Sequence, residues 1–297
     1  MNREATGLAG ARHTHYETLG STNAEALALA RAGERGPLWI TASCQTAGRG
    51  RRGNPWISEP GNLYATLLLT EPSPPDHAPE LSFVAALALH DAVATAAPQL
   101  GPLLALKWPN DLLLGGAKLA GILIEGENSP VFAVAIGIGV NCANHPSDTA
   151  YPATDLATAG ALVAPERLFA ELAEAMARRL RQWRRGAGFA AIRAAWLARA
   201  AGLGQDIRVR LREREFSGRF EGLDEAGRLL VAGATGVTVV TAGEVFLSLL
   251  PPLKGEGRIA EGDPGWGHFS TLNCEVTPTR TASPSDLPLT GRGKGKN

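Results

Sequence analysis

Two short stretches concentrate side chains that could do chemistry. The first is AGRGRRGNPW, Ala47 to Trp56, in which Arg49, Arg51 and Arg52 alternate with Gly48, Gly50 and Gly53. Guanidinium is a forked, permanently charged donor. Glycine lets backbone N–H groups approach an anion closely. Three like charges this close repel one another without an anion, so the stretch reads as a phosphate loop, mobile when empty and ordered by ligand. Trp56 would stack on a base or seal the site. The same composition also describes a solvated basic turn. The second stretch is Lys107-Trp108-Pro109-Asn110-Asp111, followed by Lys118 in KLAGILIE. It sets two lysines around one carboxylate.

The spelling Gly48-x-Gly50-x-x-Gly53 also matches a dinucleotide fingerprint. That fingerprint needs a helix directly after the glycines and an acid about 20 residues further on. Here Asn54-Pro55 and then a strand follow, and arginines fill the intervening positions. No G-x-x-x-x-G-K-[ST] occurs, so the P-loop reading fails as well.

The elements that must carry these residues follow from periodicity. A helix is expected over 21–33, with Ser21, Thr22 and Asn23 offering N-cap oxygens and Gly33 closing it. Strands are expected at 37–45 and 62–70, then a long apolar helix at 80–97. Residues 103–127 read as strand, Trp-Pro-Asn turn, strand, Gly-Gly turn, strand. Pro109 suits the first corner. Residues 131–142 form a continuous apolar strand, covered on both faces. An amphipathic helix at 164–186 and a shorter one at 189–201 follow. At Gly202 the texture becomes short alternating segments with Gly-rich turns, a small all-β barrel of about five strands. The domain reading is a disordered N-terminus at 1–11, a main domain at 12–202, the barrel at 203–250 and a disordered tail at 251–297.

Composition excludes several classes. The 297 residues carry 29 Lys+Arg against 29 Asp+Glu, whereas DNA or anionic-membrane binders are usually basic. Cys44, Cys142 and Cys274 form no C-x-x-C pair, which fits a reducing compartment. No signal-peptide core or membrane-spanning apolar run is evident, so the expected location is cytoplasmic. The six histidines show no H-E-x-x-H, and no G-x-S-x-G elbow occurs. The arginines at 178, 179, 181, 184 and 185 end a helix, where positive charge suits the dipole.

QTAGRGRRG, KWPNDL, KLAGILIE and GIGVN, in this order, resemble the biotin protein ligases. STN at Ser21–Asn23 and TAGEVFLSL in the barrel extend the resemblance over roughly 12–250. It implies an α+β fold: a mixed β-sheet with helices, like class II aminoacyl-tRNA synthetases, plus a small SH3-like β-barrel. It implies a monofunctional type without an N-terminal DNA-binding domain. The activity implied is ATP-dependent conversion of biotin to biotinyl-5′-AMP, with Mg2+, and transfer to a lysine of a carrier. The carrier implied is the biotin carboxyl carrier protein of acetyl-CoA carboxylase. A homodimer is left open.

The residue roles implied by the resemblance are specific. Lys118 would contact the biotin carboxylate and phosphoryl oxygens. Arg51 and Arg52 would bind the adenylate phosphate, with Arg49 towards biotin. Gln45, Gly48 and Gly121 would line the biotin pocket. Ser21, Thr22 and Asn23 would hydrogen-bond the ureido ring, or only cap the helix. Lys107 would face the polyphosphate. Asp111 would position Mg2+ or orient the lysines, or simply pair with them. Trp56, Asn110 and Asn141 would reach the nucleotide, Asn110 also tying its turn to backbone. Trp108 reads as core. Gly137 and Gly139 would admit ligand or backbone. Where the family often adds a basic residue, this chain has Asn54-Pro55, which implies weaker retention of the adenylate. The rival readings are a lipoate or octanoate ligase or transferase of the same fold, a biotin-sensing regulator, and a nonenzymatic nucleic-acid binder.

Overall fold

In the computed structural model the chain is described over residues 10–247, apart from 129, 148 and 150. Of the stretch 1–11 expected to be disordered, residues 1–9 lie outside that range, as do the tail 251–297 and barrel residues 248–250, while Ala11 is buried.

The main sheet has seven strands. They are β1 (Arg12–Leu19), β2 (Leu38–Gln45), β3 (Leu63–Thr70), β4 (Leu104–Lys107), β5 (Asp111–Leu114), β6 (Ala117–Asn128) and β7 (Phe132–Val140). Their order is β1-β2-β3-β7-β6-β5-β4. Only β1 and β2 run parallel, so the sheet is mixed. The sequence reading had no strand at β1. Arg12–Leu19 is polar on both faces and becomes a strand by pairing with β2 along its edge. His13 and His15 face Thr41 there, at 2.8 and 2.9 Å from its Oγ1.

Alternation along β2 and β7 decides what covers each face. Leu38 and Ile40 pack with Ala133 and Ala135 under α1 (Thr22–Arg31). Trp39, Val134, Ile136 and Ile138 join the larger core on the other face. That core is covered by α2 (Leu81–Ala96) and α3 (Pro165–Trp183). α2 is apolar almost all round and is buried accordingly. α3 is amphipathic: Leu168, Leu172, Met176 and Trp183 are buried. α4 (Phe189–Leu197) leads back to β4, where Leu106 N donates to Arg199 O and Ala201 N to Leu106 O.

The second sheet is antiparallel and five-stranded. It comprises β8 (Asp206–Arg210), β9 (Glu215–Leu223), β10 (Leu229–Gly233), β11 (Gly236–Val240) and β12 (Glu244–Leu247), in the order β11-β10-β9-β8-β12. Its β9–β10 turn is tied to the main sheet by Trp108 Nε1, which donates to Gly227 O at 3.2 Å. Gly227 has a left-handed φ of 77°, and a Cβ there would strike Phe83. Trp108 itself is buried and also lines the cavity described below.

Candidate active site

One row of residues crosses the sheet. The register places Tyr64 of β3 opposite Gly139 of β7, Gly139 opposite Gly121 of β6, Gly121 opposite Asp111 of β5, and Asp111 opposite Lys107 of β4. Directly paired residues share a face. On β7 that face reads Ala133, Ala135, Gly137, Gly139, small throughout. The result is a cavity of about 180 Å³ floored by glycine and flanked by charge.

Lys118 belongs to the same cavity because of a register shift. Strict alternation from Gly121 would turn Lys118 to the opposite face. Between Leu112 and Leu113 the β5–β6 pairing slips, so Lys118 pairs with Leu113, which shares a face with Asp111. A bulge re-aims side chains in this way. Lys118 Nζ then lies 2.8 Å from Asp111 Oδ1, and Lys107 Nζ lies 3.7 Å from Oδ2. Burial, opposed by Asp111, lowers the pKa of the Lys107 ammonium, and Lys118 lowers it further. The cavity wall carries Arg49, Arg51, Arg52, Lys107 and Lys118 against Asp111 and Glu244. The cations outnumber these two carboxylates and the Glu125 that pairs with Arg49, an excess of positive charge that suits a polyanion.

The other end of the cavity is built mainly from neutral polar groups, closely hydrogen-bonded, with the Arg49–Glu125 ion pair beside Asn23. Thr22 donates through both N and Oγ1 to Gln45 Oε1, at 2.9 and 3.1 Å. Gln45 Nε2 donates to Ser58 Oγ at 2.9 Å. Thr66 is fully buried, with its hydroxyl 2.8 Å from Thr22 Oγ1 and 2.7 Å from Asn23 Oδ1. Asn23 Nδ2 donates to Glu125 Oε2 at 2.8 Å. Ser21 is the N-cap of α1, its Oγ accepting from Ala24 N at 3.5 Å. Asn23 can sit here only because Gly137 has no side chain: a Cβ would overlap its amide.

The Arg/Gly loop closes over the row. Its backbone folds back on itself: Trp56 N donates to Gly48 O at 2.9 Å and Gly50 N to Asn54 O at 2.7 Å. Arg52 and Gly53 take left-handed φ values of 58° and 79° at the tip. Trp56 lies on the glycine floor, where a Cβ at Gly139 would come within 2.6 Å of its ring and one at Gly121 within 3.0 Å. Lys118 Nζ is 5.5 Å from that ring. The Trp56 indole N–H is buried and makes no hydrogen bond among the described residues. Arg49 pairs with Glu125 at 3.2 Å. Arg51 donates to Asn110 Oδ1 at 3.3 Å and to Gly243 O at 3.5 Å, and Arg52 lies 3.6 Å from Glu244. The second sheet therefore holds the arginine loop.

Of the sequence-predicted residues, Ser21, Thr22, Asn23, Gln45, Arg49, Arg51, Arg52, Trp56, Lys107, Asn110, Asp111, Lys118 and Gly121 line this cavity. Gly48 and Asn141 do not. Gly48 forms the base of the loop, where a Cβ would meet Trp56 O at 2.5 Å and Ser58 Oγ at 2.6 Å. Asn141 is buried just after β7, its Nδ2 donating to Thr154 O at 3.0 Å, and it anchors that segment. Asn110 also ties its turn to β6 by donating to Ile122 O at 2.7 Å. At Gly137 and Gly139 the close approach is by the side chains of Asn23 and Trp56. The sequence reading missed Thr66, Glu125, Tyr151, Gly243 and Glu244. Thr66, a polar residue inside the apolar LYATLLLT, is the one with a local signal.

Comparison with known proteins fits this geometry. Residues 21–141 match the Biotin/lipoate A/B protein ligase family, and residues 202–248 match the Biotin protein ligase C terminal domain. A biotin–[acetyl-CoA-carboxylase] ligase of Paracoccus denitrificans is 48% identical over 239 residues, covering 76% of this chain and 96% of that protein. The chain belongs to the biotin protein ligase family. The bifunctional ligase/repressor BirA of Bacillus subtilis is 31% identical over 250 residues, covering 82% of this chain and 76% of that protein. The fold also matches a biotin protein ligase of Aquifex aeolicus solved with biotin and ATP, with a TM-score of 0.68, 23% identity and coverage of 79% of this chain and 97% of that one. Among the described residues of this chain, no helix is long and apolar enough to cross a membrane, and no group of three metal-ligating side chains occurs.

Proposed function

We propose that this cavity performs both halves of protein biotinylation. Biotin is first activated by ATP to biotinyl-5′-AMP. The biotinyl group then passes to a lysine of the biotin carboxyl carrier protein of an acetyl-CoA carboxylase. The observation that carries the reading is the Lys107–Asp111–Lys118 cluster on a glycine floor, set between an arginine loop and a mainly neutral hydrogen-bonding end.

The mainly neutral end takes the ureido ring through Thr22, Asn23 and Gln45. The biotin carboxylate reaches Lys118, whose ammonium lets two anions approach each other. A carboxylate oxygen attacks the α-phosphorus, and the bond to the β-phosphate oxygen breaks, releasing pyrophosphate. Lys107 faces the departing charge, while Arg51 and Arg52 hold the α-phosphate. Trp56 and its loop keep water from the mixed anhydride. In the second half the carrier amine attacks the anhydride carbonyl, AMP leaves, and the amine gives up a proton.

Mg2+ would accompany ATP and screen its phosphates. Asp111, the floor carboxylate, is already paired with two lysines and offers at most one oxygen, which suits an ion bound mainly by phosphates and water. A cytoplasmic setting and the division into a catalytic part at 12–202 and a barrel at 203–250 belong to the same proposal.

The test is to mix the protein with biotin, ATP and Mg2+ and assay biotinyl-AMP and pyrophosphate by mass spectrometry, with lipoate in parallel. Biotin-dependent product is expected. Product from lipoate alone would reassign the substrate, and no product from either acid would overturn the reading.

A further inference from the structure

We propose that Tyr151 is a positioning residue for Lys107, its ring holding the ammonium toward the polyphosphate without neutralising it. The inference rests on the nucleotide reading above. Tyr151 belongs to no helix or strand. Its ring centre lies 4.2 Å from Lys107 Nζ, and the ring stacks at 5.1 Å on Phe246 of β12.

The segment carrying Tyr151 is held firmly. Lys118 N donates to Pro152 O at 2.7 Å, and Thr154 N donates to Lys118 O at 3.0 Å. Asn141 Nδ2 adds its bond to Thr154 O. One short stretch thus grips the main chain of Lys118 and presents an aromatic face to the ammonium of Lys107.

The division of Asp111 explains why a ring is useful. Its carboxylate is 2.8 Å from Lys118 but 3.7 Å from Lys107, beyond a good hydrogen bond. A second carboxylate at Lys107 would cancel the charge meant for phosphate. An aromatic face attracts a cation through its quadrupole and leaves the full charge available, most effectively where water is excluded. The phenol stays neutral, because burial first, and then Glu244, push its pKa up to about 12. Phe246 backs the ring, so the second sheet reaches Lys107 through two stacked aromatics.

The experiment compares wild type, Tyr151→Phe and Tyr151→Leu by calorimetric binding of ATP and, separately, of biotin. NMR of the Lys107 ε-methylene, assigned with Lys107→Arg, reads the ring contact directly. Tyr151→Leu should weaken ATP binding roughly tenfold, the scale of a desolvated cation–π contact. Biotin binding should stay unchanged, and Tyr151→Phe should stay close to wild type. The ε-methylene should show an upfield ring-current shift in wild type and Tyr151→Phe that disappears in Tyr151→Leu. Wild-type ATP affinity in Tyr151→Leu would overturn the proposal. So would equal loss in Phe and Leu, equal loss of biotin and ATP binding, or an unshifted ε-methylene in wild type. These readouts do not use catalysis, so a wild-type protein that binds ATP but makes no biotinyl-AMP counts against the proposed function and leaves the Tyr151 result to stand or fall on its own.

Discussion

The two ends of the cavity are built on different principles. At the mainly neutral end, Thr22, Asn23, Gln45, Ser58 and Thr66 hydrogen-bond one another on α1, β2, β3 and the loop between β2 and β3. That network satisfies its own buried polar groups, so it holds its shape as part of the fold. At the charged end, Arg51, Arg52, Lys107 and Lys118 face Asp111 and Glu244 and come from β4, β5, β6, the arginine loop and the start of β12, while Arg49 pairs with Glu125. Positive charge in excess, partly buried, favours an anion from solution. One end is a preformed mould and the other is a charge imbalance, so variants should separate biotin recognition from nucleotide chemistry.

The largest expected effect lies at the charged end. Lys118→Ala should lower biotin-dependent pyrophosphate release by about 10³-fold, the scale of losing a preorganised charge in a closed site. Biotin binding should fall far less. Near-normal release would break the distinction between the ends. Next comes Gly137→Ala, where the added Cβ overlaps the Asn23 amide. Biotin binding should weaken about 10²-fold by calorimetry, with a stability cost of roughly 1–3 kcal/mol from overpacking. ATP affinity should be unaffected.

Thr66→Val is a gentler probe of the same mould. It keeps the shape and removes the hydroxyl shared by Thr22 and Asn23, so biotin binding should drop roughly tenfold, in line with a lost buried hydrogen bond. An equal loss of ATP affinity would show that the ends are coupled. The smallest effect is a pH dependence. Burial lowers the Lys107 pKa, so its charge is present below that lowered value and is lost as pH rises through it, before an ordinary lysine deprotonates. ATP binding should weaken a few-fold at alkaline pH. Lys107→Arg should flatten the profile in a calorimetric pH series. Proton linkage has the opposite sign for folding: between the lowered and the ordinary pKa the unfolded chain binds the extra proton, so stability rises with pH there.

The ends also differed in how readily they could be read from sequence. Lys107, Asp111 and Lys118 were legible because KWPNDL and KLAGILIE resemble the biotin protein ligases. The orientation of Lys118 was not, since simple alternation points it away and the β5–β6 slip reverses it. The helix at Ser21–Asn23 was legible from its cap, but Thr66, its buried partner, lies on another strand. Tyr151 sits in an irregular segment, and Glu244 stands on a sheet that composition alone does not join to the arginine loop. Strand β1 escaped because its polar alternation carries no apolar face, and its partner β2 is distant in sequence.

By itself the sequence determined the menu of elements, the placement of arginines on glycine, and the small residues along one face of β7. Residue type and period act locally, through dihedral preference, side-chain size and the two-residue repeat of a strand. Tertiary structure alone decided that Tyr64, Gly139, Gly121, Asp111 and Lys107 form one row, and that Lys118 joins it through a bulge. It alone brought Tyr151 and Glu244 to the charged end. Those facts depend on strand register and on docking between sheets, and both are set by summed packing over the whole core rather than by any neighbouring residue.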